Sequence, residues 1–457
     1  ACRFTRPRNC CGGRVCMATE ILSSWGPGET RFAVMRDGRL VDLVVARPEL
    51  LAGAVVLGRV VEVAPRLGAV FVDIGQDRPA FLQGAKGGGR GGPTQGQTLL
   101  VQVKADAHGE KGATLSGEVT LPGRFLVYAP SRPGLILPRK LSDDRRAWLE
   151  ERLRELVGED EGVAARLHAV NADGEALADD LTRLRDRWAA IGAGRAGGRV
   201  PAVLWRPDPL ERLLADHPGV ARIVVDDDLS FAQAQARFGT LVERHRQGSL
   251  FAEHGIDDAL AACLAADVAL PCGGRVSIET TAALTAIDVD SGPAAAAEAN
   301  QQAVTVIARQ LRLRNIAGQM VVDFVSTGGR GALLRLVTAL KQAVAGDGTP
   351  THVLGITALG LVEMTRERRG PSLAELMSET RRDSSPAAAG FAALRRLLAE
   401  AGHRPGRALA LVLAPEVAAA LRARPQALAE VEARLGRPPL LRSEPGRARD
   451  DIGIEEV

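Results

Sequence analysis

No apolar run in this 457-residue sequence reaches the ~18 residues that a membrane-spanning helix needs, which excludes a helical membrane span. No CxxC pair is present, and the seven histidines include no pair at zinc-ligand spacing, so no ready zinc framework exists. No Ser/His/Asp order stands out for nucleophilic catalysis. Neither a Walker A loop nor a GxGxxG follows any predicted strand, which removes the usual nucleotide-phosphate cradles. Lysine stands only at 86, 104, 111, 140 and 341, so nearly all basic charge is arginine. Arginine suits bidentate phosphate contacts, although a G+C-rich genome also yields an Ala/Arg/Gly-rich chain. The net charge of +3 is too small to indicate nucleic-acid binding by itself.

The length suits about three domains at ~100–200 residues each. Apolar residues make up 46% of the chain, enough to bury a core, and charged residues 25%, an ordinary share for a globular protein. Four of the six cysteines (Cys2, Cys10, Cys11, Cys16) precede Met17. Residues 1–16 lack the apolar segment of a secretory signal. We expect Met17 to be the start and 1–16 to be upstream readthrough, with a metal knot as the alternative. Cys263 and Cys272 read as small core residues of a protein in a reducing cytoplasm.

Two strands are predicted at 31–35 and 39–45, joined by an Asp37-Gly38 turn. Short strands follow at 55–63, 69–74, 80–82, 98–104 and 113–120. Five strands over ~70 residues fit a small barrel of the OB type. The Gly-rich stretch 84–93, with Lys86 and Arg90, is either a surface insertion or a phosphate cradle. Residues 121–200 mix strands (125–128, 162–170) with helices (143–156, 181–191). Residues 200–260 alternate strand (202–205), helix (209–216), strand (222–225) and helix (231–245), which suggests an α/β layer. The acidic triplet Asp226–Asp228 is a solvated turn before a helix capped at Ser230, or else a metal site.

Beyond 275, strands at 275–280 and 283–287 lead into Asp288, and a helix over 295–314 presents Ala303, Ile307, Leu311 and Arg314 on one face. Gly318 is expected to stop that helix, and a strand over 319–325 carries Asp323. Residues 377–390 read as a linker, followed by helix 391–401, strand 408–413, helices 416–423 and 426–435, and a polar tail. A strand–helix–strand unit sets its two strands side by side, so acids at matching strand ends converge. Two such carboxylates are half of a hard oxygen site. Mg²⁺ takes one or two protein carboxylates and fills its other positions with water and phosphate. Capping or turn roles for the two aspartates remain the alternative on this reading alone.

The residues around them are more specific. Thr285-Ala286-Ile287-Asp288-Val289-Asp290-Ser291-Gly292, the run Ile307 to Gly318, and Val321-Val322-Asp323-Phe324 closely resemble the signature of the ribonuclease E/G family. Ala69 to Gly75 with Phe81-Leu82 resembles that family's S1-like domain. Leu121 to Val127 resembles the start of its 5′-sensor, and Gly360 to Arg366 the end of its catalytic domain. The resemblance runs in order from about Met17 to the C-terminus.

It implies an α+β multidomain fold: an S1-like OB barrel (51–120) inserted into an RNase H-like domain (17–50 and 200–262), a 5′-sensor-like region (121–199), and a DNase I-like catalytic domain (263–376). The linker 377–390 and a small C-terminal domain (391–457) follow. It implies Asp288 and Asp323 as ligands of Mg²⁺, with Mn²⁺ an alternative; Asp290 beside them, not a family residue, is a third candidate catalytic carboxylate that binds metal or else repels the substrate's phosphate. It implies RNA contacts at Phe71, Phe81 and Lys111 and a 5′-phosphate contact at Arg166. Barrel core is the alternative for Phe71.

Several positions depart from the family. Asp290 stands where Asn is usual, Ala282 where an acid is, Pro293 where a basic residue is, and Leu167 where the sensor has Thr. The stretch between Gly292 and the long helix is short. No Cys lies in 377–390, so no zinc link between subunits is expected. The expected function is Mg²⁺-dependent endonucleolytic hydrolysis of single-stranded RNA, in rRNA processing or mRNA decay. Any homo-oligomer would be formed without zinc. A non-catalytic RNA-binding factor on the same scaffold is the alternative.

Overall fold

Strict alternation of apolar and polar residues from Thr285 to Asp290 turns Thr285, Ile287 and Val289 inward and Ala286, Asp288 and Asp290 outward. This one-sided pattern recurs through the sheet that holds the two aspartates. The structure is a computed structural model that describes residues 19–84, 92–138, 141–197, 199–378 and 384–457. The leader 1–16, Met17, and Lys86 and Arg90 of the Gly-rich stretch lie outside those residues. Internal contacts divide the chain into two units, Ala1–Ser378 and Glu379–Val457. The fold is mixed α+β, with several sheets and a closed five-stranded barrel. Among the described residues, no helix is long and apolar enough to cross a membrane.

The first sheet joins two distant stretches of chain. Thr19–Gly26, Glu29–Arg36 and Arg39–Ala46 form a meander, and Val220–Val225 pairs in parallel with Thr19–Gly26. Val242–Arg244 completes its edge. The expected helix over 231–245 therefore ends early, at Phe238, where Gly239 takes a φ of 58°. One face of the sheet packs Leu22, Ala33 and Met35 against Leu250, Ile256 and Leu313. Leu313 belongs to the long helix Ala296–Leu313, whose Arg309 also donates to Leu40 O (3.0 Å).

The barrel closes through Val55–Ala64, Ala69–Asp73, Ala80–Gln83, Thr114–Ser116 and Thr98–Ala105, the last pairing back onto the first. Its interior holds Val60, Val70, Val72, Ala80, Leu82, Val101 and Leu115. Gly112 is required where it stands, since a Cβ there would lie 2.1 Å from Pro79 O. This lets Ala113 O approach and accept from Phe81 N–H (2.7 Å).

The region after the barrel is a four-stranded sheet backed by helices Asp143–Leu156 and Gly174–Gly197 around Leu126, Tyr128, Leu149 and Leu177. The expected strand over 162–170 is shorter, Gly162–Ala165, and gives way at Arg166 to the 3-10 turn Leu167–Asn171.

The six-stranded sheet that holds the two aspartates has strand order Asp267–Ala269, Arg275–Thr280, Thr285–Asp290, Gly318–Asp323, Val362–Arg366, Thr351–Ile356. The strand ending in Asp290 begins at Thr285, not 283, because Thr281 to Leu284 form the turn. Helices Ala296–Leu313 and Arg330–Val344 cover one face through Ile307, Leu311, Leu336 and Leu340. The long helix does not stop at Gly318. Asn315, at φ 48°, sits one residue past its C-cap. The Ile316 N–H reaches Leu311 O (3.0 Å) and the Asn315 N–H reaches Arg312 O (3.2 Å), a Schellman closure.

In the second unit, the helix Pro386–His403 begins inside the expected linker, because Ser385 accepts from Ala388 N–H and Pro386 suits the first turn. The expected polar tail contributes two strands, Leu440–Ser443 and Gly453–Glu456, on either side of Leu409–Leu413.

Candidate metal centre and nucleic-acid interface

The parallel pairing of Thr285–Asp290 with Gly318–Asp323 sets Asp288 directly beside Asp323. Neighbouring strands lie ~4.8 Å apart, so the two carboxylates rise from one row of the sheet. Both are exposed on the face that no helix covers. The row continues outward: Ser277 is the antiparallel partner of Asp288, Asp267 is the partner of Ser277, and the Ser277 hydroxyl donates to Asp267.

Asp290 lies two residues along the same face, but its carboxylate is engaged elsewhere. Oδ1 accepts from Gly292 N–H (2.9 Å), and Oδ2 lies 3.4 Å from Arg275 NH2. Gly274 makes this strand end possible, since a Cβ there would meet Asp290 O at 2.4 Å. Among the described residues, no group of three or more His, Cys, Asp or Glu is arranged to hold a metal ion. Asp288 and Asp323 together offer two exposed hard oxygen ligands as a candidate donor set. That fits a cation that keeps much of its water, as Mg²⁺ does.

Asn300 fixes the far side of the pair. It is fully buried on the long helix; its amide donates to Val325 O (2.7 Å) and its carbonyl accepts from Val325 N–H (3.0 Å). This clamps the chain two residues beyond Asp323. The sequence signal for it was a polar residue on an otherwise apolar helical face (Ala299, Ala303, Val304, Ile307). A second contact missed in the sequence joins the turn after the barrel strand Thr98–Ala105 to the helix Leu373–Met377: His108 Nδ1 lies 2.6 Å from Glu375 Oε1, and Arg368 approaches the other oxygen at 3.3 Å. Burial alone would raise the Glu375 pKa. The Ser372 N–H and hydroxyl, together with the nearby Arg368 and His108, hold it below the usual carboxylate range.

On the barrel, Phe71 and Phe81 are register partners, edge to face with centroids 5.8 Å apart. Both are half-buried on the outer surface, while their neighbours Val70, Val72, Ala80 and Leu82 fill the interior. The core alternative for Phe71 is therefore set aside. Lys111 is exposed in the turn His108–Lys111, two residues before Ala113 meets Phe81.

Arg166 lies apart from these residues in sequence. Its NH1 is 3.2 Å from Asp216 Oδ1, and Leu167 beside it is 54% exposed. The triplet 226–228 is structural: Asp226 accepts from Ser24 Oγ and Trp25 N–H, and Asp228 pairs with Arg244. The helix cap there is Asp227, accepting from Ser230 N–H, and not Ser230 itself. Cys263 is buried and Cys272 half-buried, both as free thiols.

A sequence model described as the Ribonuclease E/G family matches residues 120–369. Ribonuclease E of Nostoc sp. is 35% identical over 413 residues, which cover 81% of this chain and 58% of that protein. Ribonuclease E of Synechocystis sp. is 30% identical over 381 residues, covering 76% and 56%. Ribonuclease G of Escherichia coli is 30% identical over 402 residues, covering 79% and 82%. The chain thus spans a little over half the length of the two ribonuclease E relatives.

Proposed function

The chain belongs to the ribonuclease E/G family, and from that premise we propose that it is an endoribonuclease that hydrolyses single-stranded RNA with the help of Mg²⁺ held by Asp288 and Asp323. The observation that carries the reading is their side-by-side register on parallel strands of an uncovered sheet face. A bound divalent ion would polarise the scissile phosphate and lower the pKa of an attacking water.

The chain's own residues supply the rest. The two carboxylates gather the cation at a place fixed by backbone hydrogen bonds. Asn300 and the helix packing behind the sheet hold that place rigid. Asp290, turned to Gly292 and Arg275, adds no third ligand and keeps its charge partly offset. Phe71 and Phe81 offer ring faces for bases, and Lys111 a cation for the backbone. Arg166 is the 5′-end contact.

In this reading the barrel is S1-like, the split first sheet RNase H-like and the sheet of the two aspartates DNase I-like, with the domain limits given above. The setting is cytoplasmic rRNA processing or mRNA decay, and self-association proceeds without a zinc link. The test is incubation of purified protein with a single-stranded RNA oligonucleotide and Mg²⁺. Cleavage should be lost in Asp288→Asn. RNA binding with no cleavage by the wild type would instead make the protein a non-catalytic RNA-binding factor.

A further inference from the structure

Arg166 stands at the mouth of an arginine-rich cavity of about 600 Å³, yet its charge is already matched from within the protein. We propose that Asp216 sets how this protein responds to the 5′ end of its RNA: its carboxylate takes the anion position at Arg166, so that a 5′-monophosphate gives no advantage. This rests on the reading of Arg166 as the 5′-end contact.

Four observations support it. Arg166 NH1 and Asp216 Oδ1 are 3.2 Å apart, and both side chains are about four-fifths buried, at 22% and 21% exposure, so solvent screens the pair only in part. The backbone of Arg166 is fixed by its N–H to Phe125 O (2.8 Å), and its Nε is buried, which places the guanidinium against Asp216 and out of bulk water. Asp216 is the last residue of the helix Pro209–Asp216. A carboxylate at a helix C-terminus is unfavourable against the helix dipole, so it needs Arg166 as its counter-charge. Its side chain is also held in place from behind: a Cβ on Gly348 would come within 2.9 Å of it, so that glycine leaves the room it occupies.

The two residues that follow Arg166 in sequence add no phosphate donor. Leu167 presents an exposed alkyl group and no hydroxyl donor. Burial and the charge of Arg166 push the His168 imidazole below its ordinary pKa, against an opposing pull from Asp216. An RNA phosphate arriving at Arg166 therefore meets a guanidinium already paired with a carboxylate.

The experiment compares one single-stranded RNA bearing either a 5′-hydroxyl or a 5′-monophosphate, in cleavage with Mg²⁺ and in equilibrium binding by fluorescence anisotropy. The wild type should treat the two alike in both assays. Asp216→Asn should favour the monophosphate about tenfold, the size expected of one charge-assisted hydrogen bond, and should do so in KM and Kd and not in kcat. Asp216→Ala should behave the same way, and adding Arg166→Ala to either variant should remove the preference. A wild type that already prefers the monophosphate tenfold, or folded Asp216 variants that still show no preference in binding, would overturn the proposal. Because binding is read without turnover, a chain that cuts no RNA would sink the nuclease reading and still leave this proposal decided.

Discussion

Asp288 and Asp323 are direct register partners on two parallel strands joined by a single helix. Their separation is set by the hydrogen-bond ladder and not by side-chain rotamers alone, so the pair is preorganised. Among the described residues neither forms an ion pair, whereas Asp290, two residues beyond Asp288, lies against Arg275 and Gly292.

That contrast separates the roles of two aspartates on one strand. Asp290→Asn keeps an oxygen to accept from Gly292 N–H and loses only an exposed ion pair, an interaction worth ~0–1 kcal/mol. Cleavage by Asp290→Asn at saturating Mg²⁺ should stay within about tenfold of wild type. A loss as deep as that of Asp288→Asn in steady-state kinetics would make Asp290 a ligand.

Phe71→Ala and Phe81→Ala should each weaken binding of single-stranded RNA by ~1–3 kcal/mol, the usual worth of a base stacked on an aromatic ring. The melting temperature should shift little, because neither ring belongs to the barrel interior. Lys111→Ala should lower the slope of log K against log salt by roughly 0.7, the loss of one phosphate contact on a single strand. Anisotropy titrations at several salt concentrations read both effects, and unchanged affinity in all three variants would move RNA off this face.

Stability of the sheet that holds the two aspartates should depend on pH through Asp347 and Arg366, which are 6% and 3% exposed and joined at 2.7 Å. Burial alone would raise the pKa of Asp347. The Arg366 hydrogen bond and charge, with Thr349 N–H and the Thr351 hydroxyl, hold it below the ordinary 3.8. A carboxyl depressed in the folded state stabilises the fold above its unfolded pKa, and that stabilisation disappears as pH falls through the folded pKa. Urea denaturation should therefore show a gap between wild type and Asp347→Asn that is full at neutral pH and closes below about pH 4. Arg366→Ala, which leaves the carboxylate buried and unpaired, should cost ~3–5 kcal/mol at neutral pH. A gap that persists unchanged to pH 2 would contradict this assignment.

What was legible in the sequence was local. The helix Pro209–Asp216 read correctly because Asp208 caps it and Pro209 starts it. The strands bearing Asp288 and Asp323 are legible as strands because apolar alternation marks them, although both have limits that differ from the expected 283–287 and 319–325. The helix Arg330–Val344 was missed, and its N-cap, Gly329, makes no side-chain cap bond. The stretch 242–244 was taken for helix because nothing in it announces its pairing with Val220–Val225, which is a long-range choice. The same holds at the site. Asp288 and Asp323 were visible as strand ends, but the Arg275 contact to Asp290, the Asn300 clamp and the Asp216 contact to Arg166 all join residues brought together only by the fold.

The most direct test of the central claim is the rate of single-stranded RNA cleavage as free Mg²⁺ is titrated, wild type against Asp323→Asn, with RNA affinity measured alongside. The wild type should show saturable dependence on Mg²⁺ and lose activity in chelator. Asp323→Asn should bind RNA normally but cleave at least ~100-fold more slowly, since a metal's charge stabilisation is worth several kcal/mol and each ~1.4 kcal/mol is tenfold in rate. Cleavage that survives chelation, or that Asp323→Asn leaves intact, would contradict the account.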